Sequence, residues 1–218
     1  ANNQVKLLIN GEEKFPELVQ ALENAKSYIH LEYYIYENDT TGNQIANILI
    51  QKAKEGLEVR FLYDDFGSHG LGKSFLKKLN EAGVQTAPFY KIKWYALASR
   101  MNYRNHRKLV IIDGTMGFVG GINMSDKYRN DLNPKNKLYW RDTHLMINGQ
   151  ATSYLHYLFM CDWNFCSPKK LAYNATYFPD FPQNSTIEND VVQIAASGPD
   201  SSQPVIFYSL LEAISAAK

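Results

Sequence analysis

A chain of 218 residues, 45% hydrophobic and 21% charged, can bury a full core, and no stretch supplies the roughly 18 apolar residues of a membrane-crossing helix. The formal net charge of +1 gives no global field for nucleic acid, so any attraction for phosphate must be local. Cys161 and Cys166 form neither a disulfide framework nor a zinc quartet and are read as buried thiols, and no signal-peptide pattern opens the chain. Apolar periodicity predicts an amphipathic helix over 15–26, a strand over 28–36, a helix over 42–55 closed by Gly56, and a buried strand over 59–63. This β-α-β beginning implies a parallel sheet core. A helix over 73–81 capped by Gly83, a short strand over 84–89, a hairpin around Asp113-Gly114, a strand over 139–147 and a helix over 151–163 follow. The fold class is α/β, a mixed sheet flanked by helices on both faces.

From Ser167 to Pro204 the composition turns to Pro, Ser, Asn and Asp, which reads as a linker with one strand-like island at 191–196. Beyond it, Phe207, Leu210, Leu211, Ala213, Ile214, Ala217 and Lys218 echo Phe15, Leu18, Val19, Ala21, Leu22, Ala25 and Lys26 at a constant offset. The reading is a catalytic repeat over 1–166, a linker over 167–204, and the first helix of a truncated second repeat over 205–218. The Asn-x-Ser/Thr matches at Asn38, Asn123, Asn174 and Asn184 are what composition yields by chance, and glycosylation is discounted.

Chemistry concentrates in one constellation. His106, Lys108, Asp113, Gly120, Gly121 and Asn123 stand in the order H-x-K, four residues, D, six residues, G-G-x-N, a pattern that arises by chance on the order of once in 10^8 positions. On a strand, His106, Lys108 and Val110 share a face. Asp113-Gly114 reads as a two-residue hairpin turn, which sets Ile112 opposite Thr115 and His106 opposite Gly121, with Asn123 on the face of His106 and Lys108. Gly120 and Gly121, lacking Cβ atoms, would leave room for a phosphate beside the imidazole, with Lys108 and Asn123 donating to its oxygens. Lys91, Lys93, Arg100, Arg104, Arg107 and Lys108, interleaved with Trp94, Tyr95 and Tyr103, form an acid-free basic run that reads as an electropositive rim for an anionic head group at a membrane interface.

The constellation resembles the signature of the phospholipase D superfamily, the HKD enzymes. Its surroundings, Asn105-His106-Arg107-Lys108, Gly120-Gly121-Ile122-Asn123, Tyr139-Trp140-Arg141-Asp142-Thr143 and Asp162-Trp163, are similar to the bacterial cardiolipin synthase family from about Phe15 to the C-terminus. The resemblance implies a phospholipase D-like fold, no cofactor and no metal. It implies that His106 attacks a phosphatidyl group to give a phosphohistidine, that a histidine from a second HKD repeat or a second copy protonates the leaving glycerol, and that the products from two phosphatidylglycerols are cardiolipin and glycerol. The partners expected are a phospholipid, a membrane surface at the cytoplasmic face of the bacterial membrane, and the second repeat or a homodimer mate, with no nucleic acid. Family members carry membrane-spanning segments upstream, and a start at Ala1 rather than Met gives the expectation that these precede the chain.

Catalytic roles are thus expected for His106, Lys108, Asn123 and Asp142, the last as the acid that orients the imidazole, and Asp113 belongs to the motif although its turn position favours a structural task. Lys108, Asn123, Gly121, Arg104 and Glu32 are expected to contact substrate. His144 reads as a satisfied second-shell or core histidine, and Asp64 with Asp65 as loop capping rather than a metal site. Nuclease or other phosphodiesterase action by a dimer is the alternative function. A binding module that lost its chemistry is opposed by the intact His106, Lys108 and Asn123.

Overall fold

The computed structural model describes residues 2–91, 104–132, 138–181, 190–198 and 202–217. Within them, β1 (Asn3–Ile9) runs straight into α1 (Asn10–Asn24), followed by β2 (Tyr28–Tyr33), α2 (Thr40–Lys54), β3 (Glu58–Asp64), α3 (Gly72–Glu81) and β4 (Gln85–Phe89). β5 (Lys108–Ile112) and β6 (Met116–Gly120) form the hairpin, and β7 (Thr143–Gly149), α4 (Ala151–Cys166) and α5 (Val205–Ala216) complete the order. Seven strands make one sheet in the spatial order β1-β7-β6-β5-β2-β3-β4. β2, β3 and β4 pair in parallel, and the remaining neighbours are antiparallel. The mixed sheet covered by helices on both faces is the fold class expected.

Two apolar layers follow from strand alternation. Ile29, Leu31, Phe61, Val110 and Phe118 face α1, α2 and α3 through Leu18, Leu22, Leu49 and Phe75. Tyr28, Leu62, Leu109, Ile111 and Ile147 face α4, which answers with Leu155, Phe159 and Trp163 at four-residue spacing. Burying each such side chain stabilises the fold by about 1.5–3 kcal/mol. Leu171 at 7% exposure and Tyr177 at 5% join this second layer, and Val192 and Ile194 pack against it, so part of the stretch read as a linker lies on the domain. The island at 191–196 makes no strand; instead Asp190 caps the open edge of β1, its carboxylate accepting from Val5 N at 2.9 Å. Cys161 is exposed and Cys166 half-buried, which corrects the expectation of two buried thiols.

β1 went unforeseen because it is an edge strand, mostly exposed, whose residues show no clean alternation. α1 begins at Asn10, five residues before Phe15. Asn10 adopts φ +60°, joining strand to helix without a loop, and Glu13 accepts a hydrogen bond from Ile9 N at 2.7 Å. α2 starts at an ordinary cap, Asp39, whose carboxylate accepts from Gly42 N at 2.9 Å.

The hairpin register differs from expectation. Ile112 pairs with Met116, not Thr115, so the loop has three residues, and β5 starts at Lys108, leaving His106 outside the ladder. The cause is Asp113. It sits at φ +52° and its carboxylate accepts from three successive amides ahead of β2: Lys26 N at 2.8 Å, Ser27 N at 2.7 Å and Tyr28 N at 3.0 Å. Gly114 follows at φ +71° under Pro179, whose Cδ would lie 2.6 Å from any Cβ there. Asp113 therefore ties hairpin to sheet at the end remote from His106, a structural task in place of any contact with the imidazole of its motif.

Asp113→Ala is expected to destabilise the fold by about 2 kcal/mol, because three backbone donors lose a charged acceptor, as read by urea unfolding. A second expectation concerns acid. Beneath α4, His30 Nδ1 and His156 Nε2 share a 2.8 Å hydrogen bond; burial pushes His156 down to about 4 from an ordinary 6.5 and holds His30 well below its usual value. The unfolded chain protonates both histidines near pH 6.5, whereas the folded chain protonates His156 only near pH 4 and holds His30 down as well, so stability is full above the upper value and falls as the pH drops below it. Unfolding measured across that window is expected to lose about 1.4 kcal/mol per pH unit for each histidine, and His156→Asn to remove its share of the slope.

Candidate active site

Strand polarity gathers the motif at one end of the sheet. β2 ends there at Tyr33 and β3 at Asp64, β5 begins there at Lys108 opposite Tyr33, and β6 ends at Gly120 opposite His144. His106, just ahead of β5, is exposed, and its ring stacks on that of Tyr34 with centroids 3.9 Å apart and planes 18° apart. Lys108 Nζ lies 5.3 Å from the same Tyr34 ring and donates to the His106 carbonyl. Imidazole and ammonium are thus neighbours, as the spacing implied.

The electrostatics suit a nucleophile. Partial burial, with the Lys108 charge second, holds the His106 imidazole below its usual value, while Asp64 acts the other way; the ring is mostly neutral near pH 7. Lys108 is also lowered by burial, and Asp142 counters by favouring its charged form. Asp64 does more than lend charge: Oδ1 accepts from Phe66 N and Gly67 N at 2.9 Å each, the loop capping expected, and Oδ2 accepts from Asn105 N at 3.3 Å.

Asp142 does not hydrogen-bond His106. Its Oδ1 accepts from Thr143 N at 2.7 Å and its backbone is clasped by Asn10, so among the described residues it faces the lysines, not the imidazole it was expected to orient. The paired glycines answer to this strand. A Cβ on Gly121 would stand 2.1 Å from Asp142 Oδ1, and one on Gly120 2.6 Å from the His144 ring. Their bareness makes room for Asp142, just ahead of β7, and for His144 within it, where the sequence suggested room for a phosphate.

Asn123 is 4% exposed; its Oδ1 accepts from Ile35 N at 3.0 Å and its Nδ2 donates to the Tyr128 hydroxyl at 2.6 Å. Arg104 is enclosed rather than set on an open rim: its side chain is 6% exposed, with Nη1 3.9 Å from Asp64 and the guanidinium 5.0 Å from the Phe66 ring centroid. Lys93, Trp94, Tyr95, Arg100 and Tyr103 of the basic run lie outside the described residues.

Glu32 is corrected. It is 2% exposed on the α4 side of the sheet and accepts from Asn105 Nδ2, which also donates to Asp162 at 3.1 Å, and Asp162 pairs with Arg107. Burial, then the Asp162 charge, pushes the Glu32 carboxyl well above the carboxylate range, so it is an uncharged acid buried in the scaffold, not a substrate ligand.

Three residues escaped the sequence reading. Tyr34 carries the His106 ring. Asn105 fastens the segment before His106 to both carboxyls and to Asp64. Lys14 is fully buried with Nζ donating to Ile122 O at 3.1 Å and 4.8 Å from the Tyr33 ring, and burial holds its pKa well below the usual lysine value. Its signal was present: Lys14, Leu18 and Leu22 share one helix face, and a lysine in an apolar stripe is out of pattern. His144 is core, as expected, at 0% exposure, yet among the described residues neither ring nitrogen has a hydrogen-bond partner, and burial holds its pKa well below the usual value.

A family model described as "Cardiolipin synthase, PLD-like domain" matches residues 18–156. The chain is 44% identical over 219 positions to "Cardiolipin synthase 2" of Staphylococcus epidermidis, covering all of this chain and 44% of that protein. It is 45% identical to "Cardiolipin synthase" of Staphylococcus aureus, covering all of this chain and 43% of that protein. The chain therefore spans under half the length of these relatives. Among solved structures, the phospholipase D family member Nuc from Salmonella typhimurium superposes with a TM-score of 0.56 at 15% identity, over 78% of this chain and 99% of that one, a likeness of fold.

Because burial holds the Glu32 carboxyl well above the carboxylate range, Glu32→Gln is expected to change stability by less than about 1 kcal/mol, whereas Asn105→Ala, which removes a buried donor from Glu32 and leaves Asp162 with Arg107, is expected to cost about 1–3 kcal/mol in urea unfolding.

Proposed function

Because the chain belongs to the cardiolipin synthase, phospholipase D-like domain family, we propose that it is one catalytic half of a phosphatidyltransferase that converts two phosphatidylglycerols into cardiolipin and glycerol. The observation that carries this is the neutral, exposed His106 ring, its nitrogens without hydrogen bonds among the described residues, set beside Lys108. His106 attacks phosphorus, a P–N bond forms as the P–O bond to glycerol breaks, and the departing alkoxide takes a proton from an acid opposite. The glycerol hydroxyl of a second phosphatidylglycerol then attacks the phosphohistidine, loses its proton to that same group, and frees His106. Lys108 neutralises the phosphate oxygens, and Asp142 keeps Lys108 charged. The amide N–H of Asn123 not used by Tyr128 serves another oxygen, and Arg104, enclosed beside Asp64, acts on the anionic head group through its charge rather than by direct contact.

One imidazole cannot be nucleophile and acid at the same moment, so the acid comes from a second HKD motif. The length of the relatives supports a second repeat, and so does α5: Phe207, Leu210, Leu211 and Ile214 are all exposed, as suits the first helix of a domain whose core lies elsewhere. Among the described residues no helix is long and apolar enough to cross a membrane; with a lipid substrate, this half works at the cytoplasmic face of the bacterial membrane.

The test joins the chain to the remaining length its relatives carry and supplies vesicles of labelled phosphatidylglycerol and, separately, single-stranded DNA. Cardiolipin with one glycerol released per molecule formed is expected, and His106→Gln is expected to lower the rate by at least about 10^3-fold. Cleavage of DNA without release of glycerol overturns the lipid reading in favour of a nuclease.

A further inference from the structure

His106 precedes β5, so no ladder hydrogen bond restrains it, and no side-chain hydrogen bond of its imidazole occurs among the described residues. A nucleophile free to sample every rotamer would spend little time aimed at phosphorus. Something must fix the plane of the ring, and among the described residues the ring contact that can do so is the Tyr34 face, 3.9 Å between centroids at 18°.

Resting on the reading of His106 as nucleophile, we infer that Tyr34 is a positioning residue of the reaction, a stacking platform that sets the imidazole plane and leaves both ring nitrogens open. Stacking occupies the faces of the imidazole, whereas its nitrogen lone pair and N–H lie in the ring plane, so the contact that restrains the ring does not compete with phosphorus for the attacking atom. Among the described residues no carboxylate bonds either ring nitrogen, so the stack is left to restrain the ring. Tyr34 is suited because its own position is rigid. Its carbonyl accepts from Ser68 Oγ at 2.9 Å, and Gly67 presses against it so closely that a Cβ would meet the carbonyl at 2.3 Å and the ring at 2.9 Å. The turn that brings Gly67 there is the one capped by Asp64, the acid whose charge reaches His106.

The same ring serves the cation. Lys108 Nζ lies 5.3 Å from its centroid and is bonded to the His106 carbonyl, so one aromatic side chain spaces nucleophile and phosphate ligand. The face performs both tasks, and no hydrogen bond involves the hydroxyl among the described residues. The ring is the element that matters, and the oxygen is dispensable.

The experiment uses the chain joined to its remaining length, with phosphatidylglycerol vesicles and with bis(4-nitrophenyl) phosphate, a diester with no lipid. Tyr34→Leu is expected to lower kcat by roughly 10- to 100-fold on either substrate, with KM within about twofold, and Tyr34→Phe to recover most of that loss. In proton NMR, the His106 ring resonances are expected upfield in the wild type and in Tyr34→Phe, and shifted downfield in Tyr34→Leu. If Tyr34→Leu does not fold, cross-relaxation between the ring protons of Tyr34 and His106 in the wild type still decides, since its absence refutes the stack. An unchanged kcat in Tyr34→Leu, or an equal loss in Tyr34→Phe, also overturns the assignment. A wild type that cleaves the aryl diester but makes no cardiolipin ends the lipid reading alone, and the Tyr34 variants are then compared on that diester.

Discussion

The Asp113 carboxylate, by accepting three consecutive amides at the start of β2, sets where everything at the far end of the sheet falls. It fixes β5 against β2, and with that register Lys108 stands opposite Tyr33 and His106 arrives beside Tyr34. A slip of one residue would turn Lys108 to the α4 side, among Leu62, Leu109 and Ile111. A residue some distance from the chemistry is therefore a condition of it, and its presence in a motif with His106 and Lys108 needs no direct part in the reaction.

The opposite end is organised by exclusion of volume. Gly120 and Gly121 carry nothing, so His144 of the neighbouring strand and Asp142 just ahead of it come up to the backbone, and Asp142 reaches the surroundings of Lys108 and Lys14. Two lysines and one carboxylate share this corner, with one lysine wholly enclosed. Burial works against each positive charge, and the carboxylate offsets part of that cost.

How much of this could be read in the residues differs by type of constraint. The sheet, its helices and the gathering of His106 with Lys108 were legible because apolar periodicity and residue identity at fixed spacing are local signals. The hairpin register was not, since the left-handed Asp113 owes its conformation to amides 85–87 positions away. Glu32 was misread for a related reason: a carboxyl at the end of a strand suggests a pocket, and only the arrival of Asn105 and α4 turns it into a buried acid. Tyr34 gave no sign at all, one tyrosine among several in the run 28–36. The glycine pair was recognised but its beneficiary was not, because the chain that fills the gap comes from β7, more than twenty residues later.

The two functional groups are mounted differently. Lys108 belongs to a strand laced on both sides, whereas His106 rides ahead of that strand, held by a flat surface that resists tilting but not sliding or turning within its plane. The stack covers one face of the imidazole and leaves its edge, where both nitrogens lie, turned to solvent, while the ammonium beside it is anchored by the strand that carries it.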